Sequence, residues 1–480
     1  MPSVSRREDG ALAIVLHTHM PYVEGFGTWP FGEEWLWEAI ACCYLPLVAL
    51  LRAGAPLTLS LTPVLCDQLE APGVPERFEA FVKDVRRRTH AEDAAGLRGA
   101  GEDGLARELE RAAGDYELAL EQLRALDGDL LSALAPFAHW TSSATHAVLP
   151  LLACDAGVRL QLRTGIESHR RRFGAWAGGF WLPECAYEPS LAEDLAEAGV
   201  RAVCVELTNR HGAGSAEHLV PRREESGVVL VPIDRATISR VWSEGGYPAA
   251  GPYRDYHHHT VHHHNPWCNA GAPYEHEAAL ALARAHAAEF VAATRERLEA
   301  ARAQSPDRLP GGGLVVCALD TELLGHWWYE GITWLQAVVA ECARQGLELV
   351  RLDEALEEIE PSAMPPGDAA GASSWGRAGD LSTWSGPAVA EMAFGARAGE
   401  LEVLAAGRDA GPAAVRELLA LQASDWPFMV SREIAVPYAK ERFATHRDAL
   451  QAALRAGPGA AEEGLRNLAP EAHPGVLLAP

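Results

Sequence analysis

The sequence predicts an α/β fold built around a parallel sheet, and three observations carry that reading. Short apolar runs of strand type recur along the chain. Segments whose apolar residues repeat about every 3.6 positions alternate with those runs, as strand and helix alternate in a parallel sheet. Ionisable residues stand at the carboxyl ends of one run after another, where the loops of a barrel gather around a common mouth.

Each element follows in order. The run ALAIVL (11–16) leads into His17 and His19. An apolar helix-like segment spans 33–52, and PLTLSLTP (56–63) reads as the next strand. Residues 75–135 break the rhythm with a charged, helical stretch, read as an insertion packed on the side of a barrel. FAHWTSSAT then leads to His146, and GGFWLPECAY delivers Glu184. The runs VRAVCVEL (200–207) and GVVLVPID (227–234) follow, the second ending on Asp234. A helical segment at 275–303 precedes GLVVCALD (313–320), which ends on Asp320. A helix at 332–345 and LELVRL (347–352) complete the alternation. Residues 361–379 are rich in Pro, Gly and Ala and read as a linker; 386–455 reads as all-helical, before an Ala-, Gly- and Pro-rich tail.

The 480 residues are 48% apolar, ample for a large core. A net charge of −25 argues against nucleic acid or an anionic membrane as partner and is compatible with a neutral substrate. The nine cysteines are scattered, with no Cys-x-x-Cys pair, so a reducing cytoplasm without disulfides is expected. The first apolar run, at six residues, is too short for a signal peptide or a membrane span.

Glu184 stands among Trp181, Leu182, Pro183 and Tyr187, where a buried carboxylate is costly unless it has partners or a task. Asp320 ends a strand and opens DTELLGHWWYEG, with His326, Trp327 and Trp328 behind it. Either acid could serve only to start or cap a helix. Two carboxylates from different strand ends, in a mouth rich in aromatics, are also the parts of a glycosidase: one attacks the anomeric carbon, the other protonates the leaving oxygen. Fourteen tryptophans support a carbohydrate ligand, because broad indole faces bury sugar rings. Trp29, Trp140, Trp181, Trp267, Trp327, Trp328, Trp375 and Trp384 lie near expected loops, whereas Trp35, Trp37 and Trp334 read as core.

HTHMPY, GFWLPECAY, ALDTELLGHWWYEG and QASDWPF, with GTWPFGEEWLWEAI and SSATHAVLPLL, together resemble glycoside hydrolase family 57 in its branch of 1,4-α-glucan branching enzymes. The resemblance runs from about residue 11 to 450. It implies a distorted (β/α)7 barrel formed by 1–74 and 136–360, a helical insertion at 75–135, a linker and cleft-lining loop at 361–385, and a C-terminal all-helical domain at 386–480. It implies Glu184 as nucleophile and Asp320 as acid/base, acting by double displacement on an α-1,4-glucan such as amylose or a glycogen-like polymer. Substrate contacts are expected from His17, His19, Trp29, His146, Trp181, Tyr247, Trp267, His326, Trp327, Trp375 and Trp384. No cofactor is implied, and a monomer or weak homo-oligomer is expected.

One stretch departs from that branch. WSEGGYPAAGPYRDYH resembles its long loop over the active site, carrying Tyr247 and Tyr253, but Gly245 stands where a further tyrosine is usual and the loop is about a residue shorter. Arg235 is the nearest substitute for an arginine displaced from before VWS. The following HHHTVHHH, with Cys268 nearby, reads as cleft lining more readily than as a metal site, since adjacent ligands on a short loop seldom close a tetrahedron. The altered loop leaves α-1,4-glucan hydrolysis or 4-α-glucan transfer as the alternative activity. A metal-dependent polysaccharide deacetylase with His17, His19 and Asp320 as ligands, or a non-catalytic glucan-binding protein, are readings from other classes.

Overall fold

The computed structural model describes residues 9–25, 27, 32–309, 311–364, 371–460 and 467–477. Ten strands form one sheet: β1 (Ala11–Thr18), β2 (Thr58–Leu61), β3 (Ala138–Ser142), β4 (Gly179–Trp181), β5 (Ala202–Val205), β6 (Arg222–Arg223), β7 (Val229–Pro232), β8 (Leu314–Asp320), β9 (Glu348–Val350) and β10 (Ser362–Ala363). Seven of them run parallel in the order β7-β5-β4-β3-β2-β1-β8. The two ends meet through a backbone hydrogen bond of 2.9 Å from the Asp234 N–H to the Val316 carbonyl. This is the distorted (β/α)7 barrel, with β6 and β10 added beside β7 and β9 beside the start of β1.

Every residue of β1 is buried, as its unbroken apolar run requires for a parallel strand covered on both faces. Its register sets the site, because His17 lies opposite Ser60 of β2 on one side and Asp320 of β8 on the other. β3 and β4 were not among the apolar runs. β3 reads AHWTS and β4 is only three residues long, so pattern alone does not mark them.

The segment Glu33–Arg52 is long and apolar enough to cross a membrane by composition, but 72% of that window is buried, and its Leu36, Trp37, Cys43 and Tyr44 share the barrel's core. It carries a π-helical turn at Ile40–Tyr44, a device that re-aims side chains. Gly325 meets this turn so closely that a Cβ there would lie 2.1 Å from the Cys42 carbonyl oxygen, so the loop after β8 rests directly on it.

Residues 75–135 are helical, with long helices at Arg87–Gly99 and Asp103–Ala125. They do more than cover the barrel's side, since Asp93, Thr89 and Glu108 also bind the loop at 253–264. Towards the C-terminus, helices Ala390–Ala406, Gly411–Leu421, Asp425–Ser431 and Val436–Ala456 pack into a second core that includes Tyr22, Val64, Ala144 and Leu160 of the barrel side.

Candidate active site

Glu184 follows β4 in a left-handed conformation, φ 64° and ψ 19°, and Cys185 after it has φ 49°. Consecutive non-glycine residues in that region are strained, and such strain persists only where the surroundings over-determine it. Two donors hold the carboxylate. The Trp375 indole N–H donates to Oε2 at 2.8 Å, and the Ser424 hydroxyl lies 3.1 Å from Oε1. The Trp375 backbone N–H also donates to the Glu184 carbonyl at 3.0 Å. The stretch read as a linker therefore carries part of the site. Arg235 steadies it, donating to Glu206 at 2.7 Å and to the Trp375 carbonyl at 3.4 Å.

The histidines form a stack beside Glu184. The His17 ring lies on Trp181 with centroids 4.6 Å apart, and His19 lies on His146 at 3.9 Å. His17 Nε2 and His146 Nε2 are 2.8 Å apart, and His146 Nδ1 is 2.8 Å from the Ser424 hydroxyl. His19 Nε2 pairs with Asp425 at 2.9 Å. Its backbone N–H donates to Glu322 Oε1 at 3.2 Å, and the Tyr44 hydroxyl donates to the same oxygen at 2.7 Å.

Asp320 is the one exposed residue of β8, at the floor of the mouth. Burial pushes the Glu184 carboxyl up to about 7, with the charges of Asp320 and Asp425 adding to the effect against its two donors. Desolvation by the surrounding protein pushes Asp320 up to about 6 against the charge of His19, and burial pushes Glu322 up to about 8. Burial holds His17 and His146 well below the usual imidazole range, each helped by the charge of His19. For His19 burial works the other way from its partners, and Asp425, Glu322 and Glu184 together raise it.

Among the described residues, His19, His146 and Asp425 are the group of three metal-ligand types whose atoms lie within 4.8 Å of one another. His19 and Asp425 bond to each other, and both nitrogens of His146 face partners, so this donor set closes on itself as a polar network. The histidine run folds elsewhere. His262 Nδ1 lies 2.7 Å from Asp93, and His264 stacks on His90 at 3.7 Å and reaches Thr89. His257, His258, His259 and His263 are exposed, with His258 flat against Trp267 at 3.8 Å.

The other expected contacts divide. Trp181 is buried under His17 and Trp375, and Trp327 and His326 cluster with Tyr256. Trp384 was expected to reach over the cleft, but it is 2% exposed and packs with Val148 and Ala186 behind Trp375, so it buttresses that loop and presents no face. Tyr247 is turned away as well, its hydroxyl on Glu289 and its ring on His286. Asp234 is fully buried, caps the helix Arg235–Val241 and pairs with Arg297, which is a structural task. Trp29 lies outside the described residues. Residue-level reading missed Ser424, Asp425, Glu322, Tyr44 and Glu206. Only the spacing of two acids in DTEL and the SDW of QASDWPF hinted at three of them.

Comparison with known proteins identifies the family. Residues 140–366 match the model of glycosyl hydrolase family 57, and 400–469 match that of the 1,4-alpha-glucan branching enzyme C-terminal region. A probable 1,4-alpha-glucan branching enzyme of Mycobacterium tuberculosis is 33% identical over 93% of both chains. The crystal structure of a branching enzyme of this family from Pyrococcus horikoshii superposes with a TM-score of 0.87 at 29% identity, covering 98% of this chain and 97% of that one. An alpha-amylase from Thermotoga maritima shares the fold, with a TM-score of 0.82 at 22% identity and coverage of 98% and 99%. A mouth that joins strand-end histidines and carboxylates to a C-terminal helix, in a chain so closely matched along its length, has one family placement: this protein belongs to glycosyl hydrolase family 57.

Proposed function

We propose that the chain is a retaining 1,4-α-glucan branching enzyme in which Glu184 attacks C1 of an α-1,4-linked glucose and Asp320 protonates the departing oxygen. The covalent glucan is then taken by a glucose 6-hydroxyl, with Asp320 receiving its proton. The observation that carries this reading is the Glu184 carboxylate, fixed by the Trp375 N–H and the Ser424 hydroxyl in a strained backbone at the barrel mouth.

The reaction needs one proton on the pair, and on the right member. In the unliganded mouth the two are close, about 7 for Glu184 and about 6 for Asp320. Asp320 is exposed by surface area while Glu184 is buried, so a glucan filling the mouth covers Asp320 the more, and covering a carboxylate favours its protonated form.

Transfer outcompetes hydrolysis only where water is excluded. Trp375 closes one side, and the loop docked on the helical insertion borders Trp327 on another. Gly245 in place of a tyrosine favours the second reading, hydrolysis or 4-α-glucan transfer. The natural polymer in this proposal is glycogen-like, and the nine free cysteines support action in the cytoplasm.

The test is incubation with amylose, with and without EDTA, beside Glu184→Ala and Asp320→Asn. New α-1,6 signals by proton NMR with few reducing ends, absent in both variants, support branching. Reducing ends without α-1,6 links support the hydrolase, and loss of all activity with EDTA overturns both.

A further inference from the structure

We infer that Ser424, brought in by the C-terminal helical region, is a positioning residue for Glu184, ending a one-way hydrogen-bond chain that runs Ser60, His17, His146, Ser424, Glu184. This rests on the reading of Glu184 as nucleophile and goes further, because it assigns the adjoining histidines a task directed at that carboxylate.

The direction of the chain follows from counting protons. An attacking carboxylate can only accept, so the Ser424 O–H donates to Glu184 Oε1 at 3.1 Å. The Ser424 oxygen is then free to accept from His146 Nδ1–H at 2.8 Å. A neutral His146 has its other nitrogen bare, so His146 Nε2 accepts from His17 Nε2–H at 2.8 Å. That leaves His17 Nδ1 bare, facing the Ser60 hydroxyl at 3.4 Å. Ser60, His17, His146 and Ser424 are all at most 3% exposed, so solvent offers no alternative partners.

Protonating Glu184 on Oε1 would take away the acceptor of the Ser424 O–H, which is then left unpaired unless it turns to His146 and both imidazoles change tautomer. The chain therefore opposes protonation of the nucleophile more than one isolated hydroxyl would. Its geometry is held by backbone on both sides. The Ser424 N–H donates to the His146 carbonyl at 3.1 Å, Ala147 pairs with Ala423, and His146 itself has a φ of 59°. The charged and titratable groups facing Glu184 are Asp320, Asp425, His19 and His146, with the Trp375 N–H on the opposite oxygen. Only the Ser424 link runs on through further side chains.

The experiment measures amylose turnover and α-1,6 product across pH for the wild type, Ser424→Ala, Ser424→Thr and Glu184→Ala, with imidazole 15N NMR of the wild type and Ser424→Ala. In Ser424→Ala kcat should fall more than ~10-fold at pH 6 with KM for amylose changed less than about twofold, and the acid limb should move up by about one pH unit. Ser424→Thr should restore activity to within about threefold, since it keeps the hydroxyl. The 15N spectrum should show His146 neutral with its proton on Nδ1 in the wild type, and that assignment should be lost in Ser424→Ala. An unshifted acid limb, or an equal, pH-independent loss in the Ala and Thr variants, overturns the proposal. If Ser424→Ala does not fold, a wild-type His146 protonated on Nε2 overturns it and one protonated on Nδ1 supports it. Activity surviving in Glu184→Ala would instead sink the nucleophile assignment, an outcome the tautomer measurement keeps distinct.

Discussion

Replacing Asp93 by alanine should free the histidine-rich loop and shift products from transfer towards hydrolysis. Asp93 sits on the insertion helix Arg87–Gly99 and accepts from the Thr260 hydroxyl, from His262 Nδ1–H at 2.7 Å and, weakly, from the His262 backbone N–H at 3.4 Å. A hydrogen bond to a charged group contributes about 1.5–3 kcal/mol. Asp93 is 9% exposed, and His262 is more open, so one full bond and one discounted bond are counted, about 3 kcal/mol in all. That is a factor of about 150 in the ratio of free to docked loop. Limited proteolysis reads this ratio directly when cleavage is slow against reclosing. Cleavage within 257–264 should therefore accelerate by roughly two orders of magnitude in Asp93→Ala. In Asp93→Asn, which keeps an acceptor for Thr260, the acceleration should be about tenfold. The α-1,6 to reducing-end ratio should fall in the same order. Equal cleavage rates would refute the docking energetics. Faster cleavage with an unchanged product ratio would refute the link between this loop and water exclusion.

Trp375→Phe removes the donor to Glu184 Oε2 but keeps an aromatic face, so the nucleophile's pKa should rise from about 7; the deficit against wild type should grow as pH falls through 7 towards a plateau of about tenfold or more and should narrow by pH 8.5. A deficit independent of pH would assign Trp375 to sugar stacking alone. His169 is 2% exposed, neither ring nitrogen has a protein partner, and burial lowers it to about 4. The unfolded chain therefore takes up a proton below pH 6.5 that the folded one refuses, and His169→Leu should gain about 1.4 kcal/mol over wild type between pH 7.5 and 5.5 in urea melts. Arg254 lies half-buried over Tyr329 and Tyr274, at 4.0 and 4.4 Å, and pairs with Glu108, which also holds Arg111. Arg254→Met should cost about 1.5–3 kcal/mol by calorimetry, since Glu108 keeps its Arg111 partner.

What could be read from the sequence depended on whether a residue's task was local. β1 and β8 were legible because burial on both faces demands an unbroken apolar run, and their ends placed His17 and Asp320 side by side. β4 was not, being three residues ended by a strained turn, although the WLPE motif marked the glutamate that follows it. Ser424 and Asp425 were marked only by the QASDWPF motif, with nothing to show what they touch. They lie within a helical region whose pattern speaks only of its own packing, and their partners His146, His19 and Glu184 are more than two hundred positions away. Trp384 failed in the opposite direction. Its Ser- and Gly-rich neighbours suggest an open loop, while the loop around Gly376 folds back to bury its indole.

The pairing of His146 and Glu184 with Ser424 also bears on the order in which the molecule is made. A ribosome delivers all seven barrel strands before Ser424 and Asp425, and β8 must first enter beside β1 to complete the ring. A nascent barrel thus carries Glu184 and Asp320 without the hydroxyl that steadies one and the acid that holds His19. Chain synthesis brings the groups that hold Glu184 and His19 last, after every strand that carries the rest of the mouth.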